Sequence, residues 1–234
     1  MRDLVRSRED ALVMQRQARQ RLTALLLRND VRYSGKTAWT TAHRCWLARV
    51  TLPQPAQRLA FEEYVQAVEE ASARVHRLTQ CIEQELAQWR WRSVVTALQA
   101  CRGIQMIHAV RIVAELGDLS RFAHARQLMG YLGLIPTEGH QGAITKAGNS
   151  SARRALVEAA WAYRYPAKVS HFIARRQTQV SKAARDIGWK AQVRLCARFR
   201  RLSARGINRN KIVVAIAREL AGFVWAIARP IKPV

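Results

Sequence analysis

The sequence is poor in acidic residues and lacks the marks of a secreted or membrane-spanning chain. Its 234 residues include 16 Asp and Glu against 40 Lys and Arg, a formal net charge of +24. No run approaches the roughly 18 apolar residues that a membrane span needs, and the amino terminus carries no secretory segment. The four cysteines form no Cys-x-x-Cys pair. The sequence therefore predicts buried, reduced thiols in a cytoplasmic protein without a membrane partner.

A further absence is any sustained alternation of polar and apolar residues, so no strand is predicted. The sequence instead predicts an all-α fold, because 49% hydrophobic residues can form a core and the apolar positions repeat at helical spacing. Helices are predicted over 3–28, 61–89, 93–101, 106–116, 125–131, 150–163, 184–203 and 210–227. The last of these is largely apolar and is expected to pack centrally.

The helix over 61–89 has a heptad seam, which predicts a coiled coil. Phe61, Val68, Val75, Ile82 and Trp89 are each seven residues apart, and such a seam needs a partner helix. The first helix, folded back antiparallel, and a second copy of the chain both serve, and the sequence leaves both open. We predict a coiled-coil arm with a connecting segment over 1–92 and a helical domain over 93–234.

The basic charge is concentrated in the second half of the chain. From Leu119 onward there are 22 Lys or Arg and four acids, which leaves +18 there and +6 in the first 118 residues. A surface of one sign attracts a polyanion, and its phosphate contacts release counterions. The sequence therefore predicts a nucleic-acid partner for the second half.

Two short segments are candidates for phosphate contacts. Gly103-Ile104-Gln105 joins two predicted helices in the pattern of a helix-hairpin-helix module, whose backbone N–H groups approach a phosphate. A plain helical hairpin stays open, because Gln105 stands where such modules usually have a second glycine. Further on, Lys146, a cap at Asn149 or Ser150, and Arg153 with Arg154 converge at one helix start, which predicts a phosphate clamp.

A basic stripe completes the predicted interface, because four cations on the helix over 184–203 fall on one face. The predicted nucleic-acid-binding residues are Gly103, Ile104, Gln105, Arg121, Lys146, Asn149, Arg153, Arg154, Lys190, Arg194, Arg198 and Arg201. No metal site is predicted, since His108 has no second ligand at suitable spacing.

Four motifs in order carry a family resemblance. They are Leu116-Gly117-Asp118-Leu119-Ser120-Arg121-Phe122, Tyr131-Leu132-Gly133-Leu134-Ile135-Pro136, Ile144-Thr145-Lys146-Ala147-Gly148-Asn149, and Arg153-Arg154-Ala155-Leu156-Val157-Glu158-Ala159-Ala160-Trp161-Ala162-Tyr163-Arg164. The chain resembles the C-terminal part of the IS110, IS116 and IS902 insertion-sequence transposases, which include the bridge-RNA-guided recombinases.

The resemblance implies a two-part enzyme. In the family, a RuvC-like domain supplies four acidic residues that bind divalent metal such as Mg²⁺, a coiled coil follows, and a C-terminal domain supplies a nucleophilic serine. Because this sequence starts with the first coiled-coil helix, we expect no RuvC-like domain and no cofactor in it. The segment from Thr137 to Ala143, where the family serine is expected, holds no serine. No catalytic residue is therefore assigned.

Three functions follow from these expectations. The first is the nucleic-acid-binding C-terminal part of a transposase for DNA transposition and recombination, not catalytic alone. The second is an active subunit that uses Thr137 or Ser150 while another chain supplies the RuvC-like domain. The third is an inhibitor that joins a full-length transposase through the coiled coil. Duplex DNA, a structured guide RNA and a second copy of the chain all stay open as partners.

Overall fold

The computed structural model describes residues 1–136, 144–145 and 147–232, and ten α-helices account for most of them. They are α1 (Arg2–Arg28), α2 (Thr41–Leu47), α3 (Pro55–Gln88), α4 (Arg92–Leu98), α5 (Met106–Leu116), α6 (Ala125–Tyr131), α7 (Ser150–Ala160), α8 (His171–Arg176), α9 (Lys182–Ala204) and α10 (Arg209–Ala228). Short 3₁₀ helices cover Leu119–Arg121 and Trp161–Arg164. Within the described ranges no strand forms, and the single β-bridge joins Pro136 to Ile144. The all-α prediction is confirmed.

Two of the differences between predicted and observed helix bounds have local causes. α9 starts two residues earlier than predicted because the Ser181 side chain accepts the Ala184 N–H and satisfies an open helical donor. α7 was predicted to continue to Tyr163, but the chain tightens there into the second 3₁₀ helix. Pro166 disfavours helical backbone at the residue before it, and Tyr165 is extended. The helix therefore ends before this proline.

The chain divides into two compact units, and the smaller comprises Arg6–Cys81. In it, Arg8 Nε donates to Thr79 Oγ1 at 2.7 Å and Gln15 Nε2 donates to Ser72 Oγ at 3.0 Å. The later residue of α1 pairs with the earlier residue of α3, so the two helices run antiparallel within this unit. Of the two partners that the sequence left open, the first helix fills this role here. The coiled-coil geometry itself stays a prediction.

The segment between α1 and α3 is closed by an aromatic cluster around His43. This imidazole is only 5% exposed, and its ring centroid lies 4.7 Å from that of Tyr33, 5.0 Å from Trp39 and 5.4 Å from Trp46. Burial lowers the pKa of His43. A buried neutral imidazole packs like an aromatic ring, so the cluster works as a small core for the connecting segment.

The larger unit comprises Met1–Val5 and the chain from Ile82 onward, and α10 runs through its centre. α10 packs against α4, α6, α7 and α9, and nine of its residues are buried, including Ile212, Ile216 and Leu220. The predicted central position of this helix is confirmed. The predicted domain boundary between residues 92 and 93 stays a prediction.

The prediction of four buried thiols was half wrong. All four cysteines are free, and Cys101 and Cys196 are buried, but Cys45 and Cys81 are exposed. Burial raises the pKa of the Cys101 thiol to about 12, so it stays protonated. Across the described residues, no helix combines the length and apolarity needed to cross a membrane.

The turn between α4 and α5 depends on close backbone packing. Gly103 has φ +84°, and a Cβ at this position would collide with the carbonyl oxygen of Ala159 in α7. Ile104, the next residue, is fully buried. Only glycine permits this contact, because it has neither a side chain in the way nor a penalty for positive φ.

We expect Gly103→Ala to lower the free energy of unfolding by about 2–5 kcal/mol, as left-handed strain and a backbone collision add. Gly206→Ala is the matched control, since Gly206 has φ +71° and an added Cβ there meets no atom within 4 Å. It should cost about 1–2 kcal/mol. Urea denaturation of both variants measures the difference, and equal losses would contradict the close approach.

Candidate nucleic-acid interface

The three residues of the predicted helix-hairpin-helix turn have different surroundings in the structure. Gly103 packs on α7, Ile104 is buried, and its carbonyl accepts Arg176 Nη1 at 3.1 Å. Gln105 is exposed at the start of α5, where its side chain makes no capping hydrogen bond. Of the three, Gln105 presents its side chain to solvent, and phosphate binding by this turn stays a prediction.

Asn149 is the cap of α7, as one of two predicted candidates. Its Oδ1 accepts the Ala152 N–H at 2.8 Å, while its Nδ2 donates to Glu115 Oε2 at 2.8 Å. Glu115 is 2% exposed, and a buried carboxylate needs hydrogen-bond donors. Asn149 therefore both starts α7 and satisfies a carboxylate at the end of α5. Ser150 is the exposed first residue of the helix rather than its cap.

Arg153 holds backbone rather than extending freely into solvent. Its Nη1 donates to the Leu132 carbonyl at 2.9 Å and to the Ala147 carbonyl at 3.3 Å. Beside it, Gly148 has φ +87°, and a Cβ there would collide with the Tyr131 carbonyl oxygen. The loop before α7 is thereby fixed against the turn that follows α6. A guanidinium with this role positions the loop, and a phosphate contact by Arg153 stays a prediction.

Arg154 belongs to a cluster around Glu158. Arg154 Nε donates to Glu158 Oε1 at 3.0 Å and Arg111 Nη1 donates to Oε2 at 3.4 Å. The interaction with His108, whose Nε2 lies 3.7 Å from Oε2, together with both arginines, lowers the pKa of Glu158 to about 2, against the opposing effect of burial. Glu158 therefore stays ionised and joins α5 to α7.

Arg121 is exposed and supported by aromatic rings. Its guanidinium carbon lies 4.7 Å from the centroid of Phe122 and 4.8 Å from that of Tyr131. Such contacts orient a guanidinium while its N–H groups stay accessible. Arg121 is thus presented in a defined direction, which is compatible with the predicted phosphate contact.

The predicted stripe on α9 divides into two kinds of residue. Arg194 Nε and Arg198 Nη1 both donate to the carboxylate of Glu219 on α10, at 2.7 and 2.6 Å. Lys190 and Arg201 are exposed, and within the described part of the chain neither is in ion-pair contact with a carboxylate. One carboxylate thus orients two of the four cations along the edge of α10.

A groove of about 830 Å³ brings these arginines together with cations from other helices. We call it the basic groove, and its charged lining consists of Arg126, Arg194, Arg198, Lys211, Arg218 and Glu219. Pro136 and Ile144 also line it. Sequence reasoning missed Arg126, Lys211 and Arg218. The available signal was the absence of any acid between Asp186 and Glu219.

Two sequence predictions fall outside the described residues, namely Lys146 of the phosphate clamp and Thr137 with the segment that follows it. The structure gathers Asn149, Arg153 and Arg154 at the start of α7. Arg194 and Arg198 line the basic groove, whose lining does not include Gly103, Ile104, Gln105, Arg121, Lys190 or Arg201.

The described residues do not fit a metal bound by several carboxylates. Among them, no group of three or more His, Cys, Asp or Glu side chains is arranged to hold a metal ion. The Glu158 carboxylate on α7 is engaged by Arg111 and Arg154, and the Glu115 carboxylate on α5 is engaged by Asn149. No reaction step is therefore derived through a metal in this part of the chain.

Comparison with known proteins matches the same region as the four motifs. Residues 95–175 match the family described as Transposase IS116/IS110/IS902. The chain is 44% identical over 98% of its length to "Putative transposase y4qE" of Sinorhizobium fredii, covering 57% of that protein. It is 25% identical over 86% of its length to the transposase for insertion sequence element IS1533 of Leptospira borgpetersenii, covering 61%. The chain thus spans about three-fifths of these curated relatives.

We expect Asn149→Ala to lower the free energy of unfolding by about 2–4 kcal/mol, because it removes a helix cap and one donor to the buried Glu115 carboxylate. Ser150→Ala, at the exposed neighbouring position, should change it by less than about 0.5 kcal/mol. Thermal or urea unfolding measures both. Similar losses in the two variants would contradict the double role of Asn149.

The low pKa of Glu158 predicts an acid-sensitive contribution to stability. A carboxyl whose folded pKa is depressed stabilises the fold above its unfolded pKa, and this contribution is lost as pH falls from about 4.5 toward about 2. The side chain is 43% exposed, so solvent screening limits the effect to about 1 kcal/mol. Glu158→Gln should lack it. Unfolding curves of both proteins across this pH range test the difference, and parallel pH profiles would refute it.

Proposed function

Because this chain belongs to the IS116/IS110/IS902 transposase family, we propose that it binds DNA in insertion-sequence transposition through the basic groove. The observation that carries the proposal is the charge of that groove. Among the described residues, five cations from α6, α9 and α10 line it together with one carboxylate, Glu219. A lining with this excess of positive charge is suited to binding the phosphates of a nucleic-acid backbone.

Glu219 orients two side chains of the groove and neutralises only part of its positive charge. It accepts hydrogen bonds from Arg194 and Arg198, so two long side chains lose less rotational freedom when a phosphate arrives. A guanidinium keeps further N–H donors when one of them is engaged. The pair therefore provides oriented donors beside the ion pair.

The other three groove cations supply the net charge. No carboxylate of the described residues lies within ion-pair distance of Arg126, Lys211 or Arg218. Arg126 and Lys211 are exposed and Arg218 is half-buried. Like charges that share a concave surface raise its positive potential and accelerate the encounter with a polyanion. These three side chains are accordingly proposed as direct phosphate ligands.

The position of the groove also supports a role close to the reaction. Pro136 and Ile144 line it, and they pair with each other across the segment in which the family resemblance expects a nucleophilic serine. A DNA backbone held in the groove would pass beside both ends of that segment. In this proposal the described residues bind and orient DNA, and no bond-breaking step is assigned to them.

The groove cations should determine both the affinity for duplex DNA and its salt dependence. For the double variant Lys211→Gln/Arg218→Gln we expect the slope of log affinity against log salt to decrease by about 2, because two phosphate contacts are lost. Fluorescence anisotropy with a labelled duplex across a salt series measures the slope.

Arg175→Gln/Arg185→Gln is the matched control, because it removes the same charge from exposed positions that do not line the groove. It should leave the slope close to that of the unmodified chain. If the two double variants behave alike, the groove is not the DNA site. If the unmodified chain binds no duplex at low salt, the proposed function itself is wrong. An RNA hairpin in the same series shows whether the groove prefers RNA.

A further inference from the structure

A second cleft of about 800 Å³ lies where the end of α7 meets α9 and the turn before α10. We call it the Tyr165 cleft, and its functional lining consists of Trp161, Arg164, Tyr165, Arg200, Ile207 and Arg209. None of these residues belongs to the predicted interface. All of them lie in the larger unit.

The charge of the Tyr165 cleft is of one sign. Arg164, Arg200 and Arg209 line it, all three are exposed, and its lining includes no Asp or Glu. Three guanidiniums around one cavity repel one another, and an anion removes that repulsion. Charge complementarity therefore indicates an anionic occupant.

The aromatic lining indicates that this occupant also has a flat apolar part. Tyr165 is 51% exposed, yet its ring is held in place, since Arg164 lies 4.7 Å over its centroid and donates to its hydroxyl at 2.6 Å. Trp161 lies one turn earlier and is half-buried. A fixed, exposed aromatic ring beside guanidiniums is the arrangement on which unpaired nucleobases stack.

The cleft adjoins the basic groove. Ile207, in the turn between α9 and α10, lines both cavities. A strand whose phosphates follow the groove cations can therefore continue over this turn into the cleft. A simple anion would use the arginines and leave the aromatic surface exposed, whereas a nucleotide uses both.

We propose that the Tyr165 cleft binds one unpaired nucleotide of a nucleic-acid strand, with the base against Tyr165 and the phosphate on the arginines. The inference rests on the proposed function, because the strand is the one that enters from the basic groove. It adds a preference for the single-stranded part of the substrate.

The test compares ligands that share phosphates and differ in bases. The full chain is titrated with labelled oligothymidine, oligouridine and an abasic oligonucleotide of equal length. Tyr165→Ala should weaken oligothymidine binding about 5-fold or more, since one stacked base is lost, and should leave abasic binding unchanged. Phe172→Ala, an exposed aromatic on α8 outside the cleft, should change neither. Oligouridine shows whether the site accepts RNA as well as DNA.

A second measurement uses the unmodified chain and so does not depend on how the variants fold. Oligothymidine containing 5-iododeoxyuridine should photocrosslink to Trp161 or Tyr165, as identified by mass spectrometry, and not to Phe172. Tyr165→Phe keeps the ring and should retain binding within about 2-fold.

The outcomes separate the two proposals. If Tyr165→Ala and Phe172→Ala behave alike while duplex binding and its salt slope persist, the cleft inference is overturned and the proposed function stands. Equal loss of abasic and oligothymidine binding, or equally tight binding of polyglutamate, would show a site for charge alone and would also overturn it. Absence of all nucleic-acid binding overturns both.

Discussion

Two carbonyl oxygens lie where Cβ atoms would stand if Gly103 and Gly148 were any other residue. The oxygen at Gly103 belongs to Ala159, near the end of α7. Gly148 lies just before the start of α7, and the oxygen there belongs to Tyr131 at the end of α6. α7 is therefore fixed at both ends by contacts between backbones, without adaptable side chains between them. Such contacts tolerate little displacement. This constraint sets the positions of all the charged groups that α7 carries.

Polar contacts then connect α7 to α5 and provide hydrogen-bond donors to two carboxylates. Asn149 reaches Glu115 at one end, and Glu158 collects Arg111 and Arg154 further along. The buried Glu115 carboxylate is favourable only while its donors stay in place, because the cost of burial exceeds the gain when one partner is lost. The cluster therefore depends on the fixed helix and in turn makes its orientation specific. Arg111 and Arg154 thereby contribute to the architecture, and a phosphate contact by Arg154 stays a prediction.

Periodicity and turn residues predicted most of the fold, and α5 agrees to the residue because Gln105 and Gly117 mark its ends. The site was harder to predict. The spacing of Arg194 and Arg198 showed that they share a face of α9, but their common partner Glu219 lies on another helix. The partner of a side chain on another helix depends on tertiary contacts, and the spacing of residues along one helix gives no information about these contacts. In the sequence, the sign of the basic groove was the run between Asp186 and Glu219, which contains no acidic residue.

The scarcity of acidic residues has a different meaning once their positions are known. Glu158 and Glu219 stand where guanidiniums pack against a neighbouring helix, and each neutralises charge that the fold must accommodate. Apart from the pair of Lys182 with Asp186, most other cations of α9 and α10 are exposed, and their mutual repulsion works against folding. A sequence selected for stability alone would place further acids there. Among the described residues that line the basic groove and the Tyr165 cleft, the one acid is Glu219, which favours surfaces kept positive for a polyanionic ligand over a uniformly basic coat.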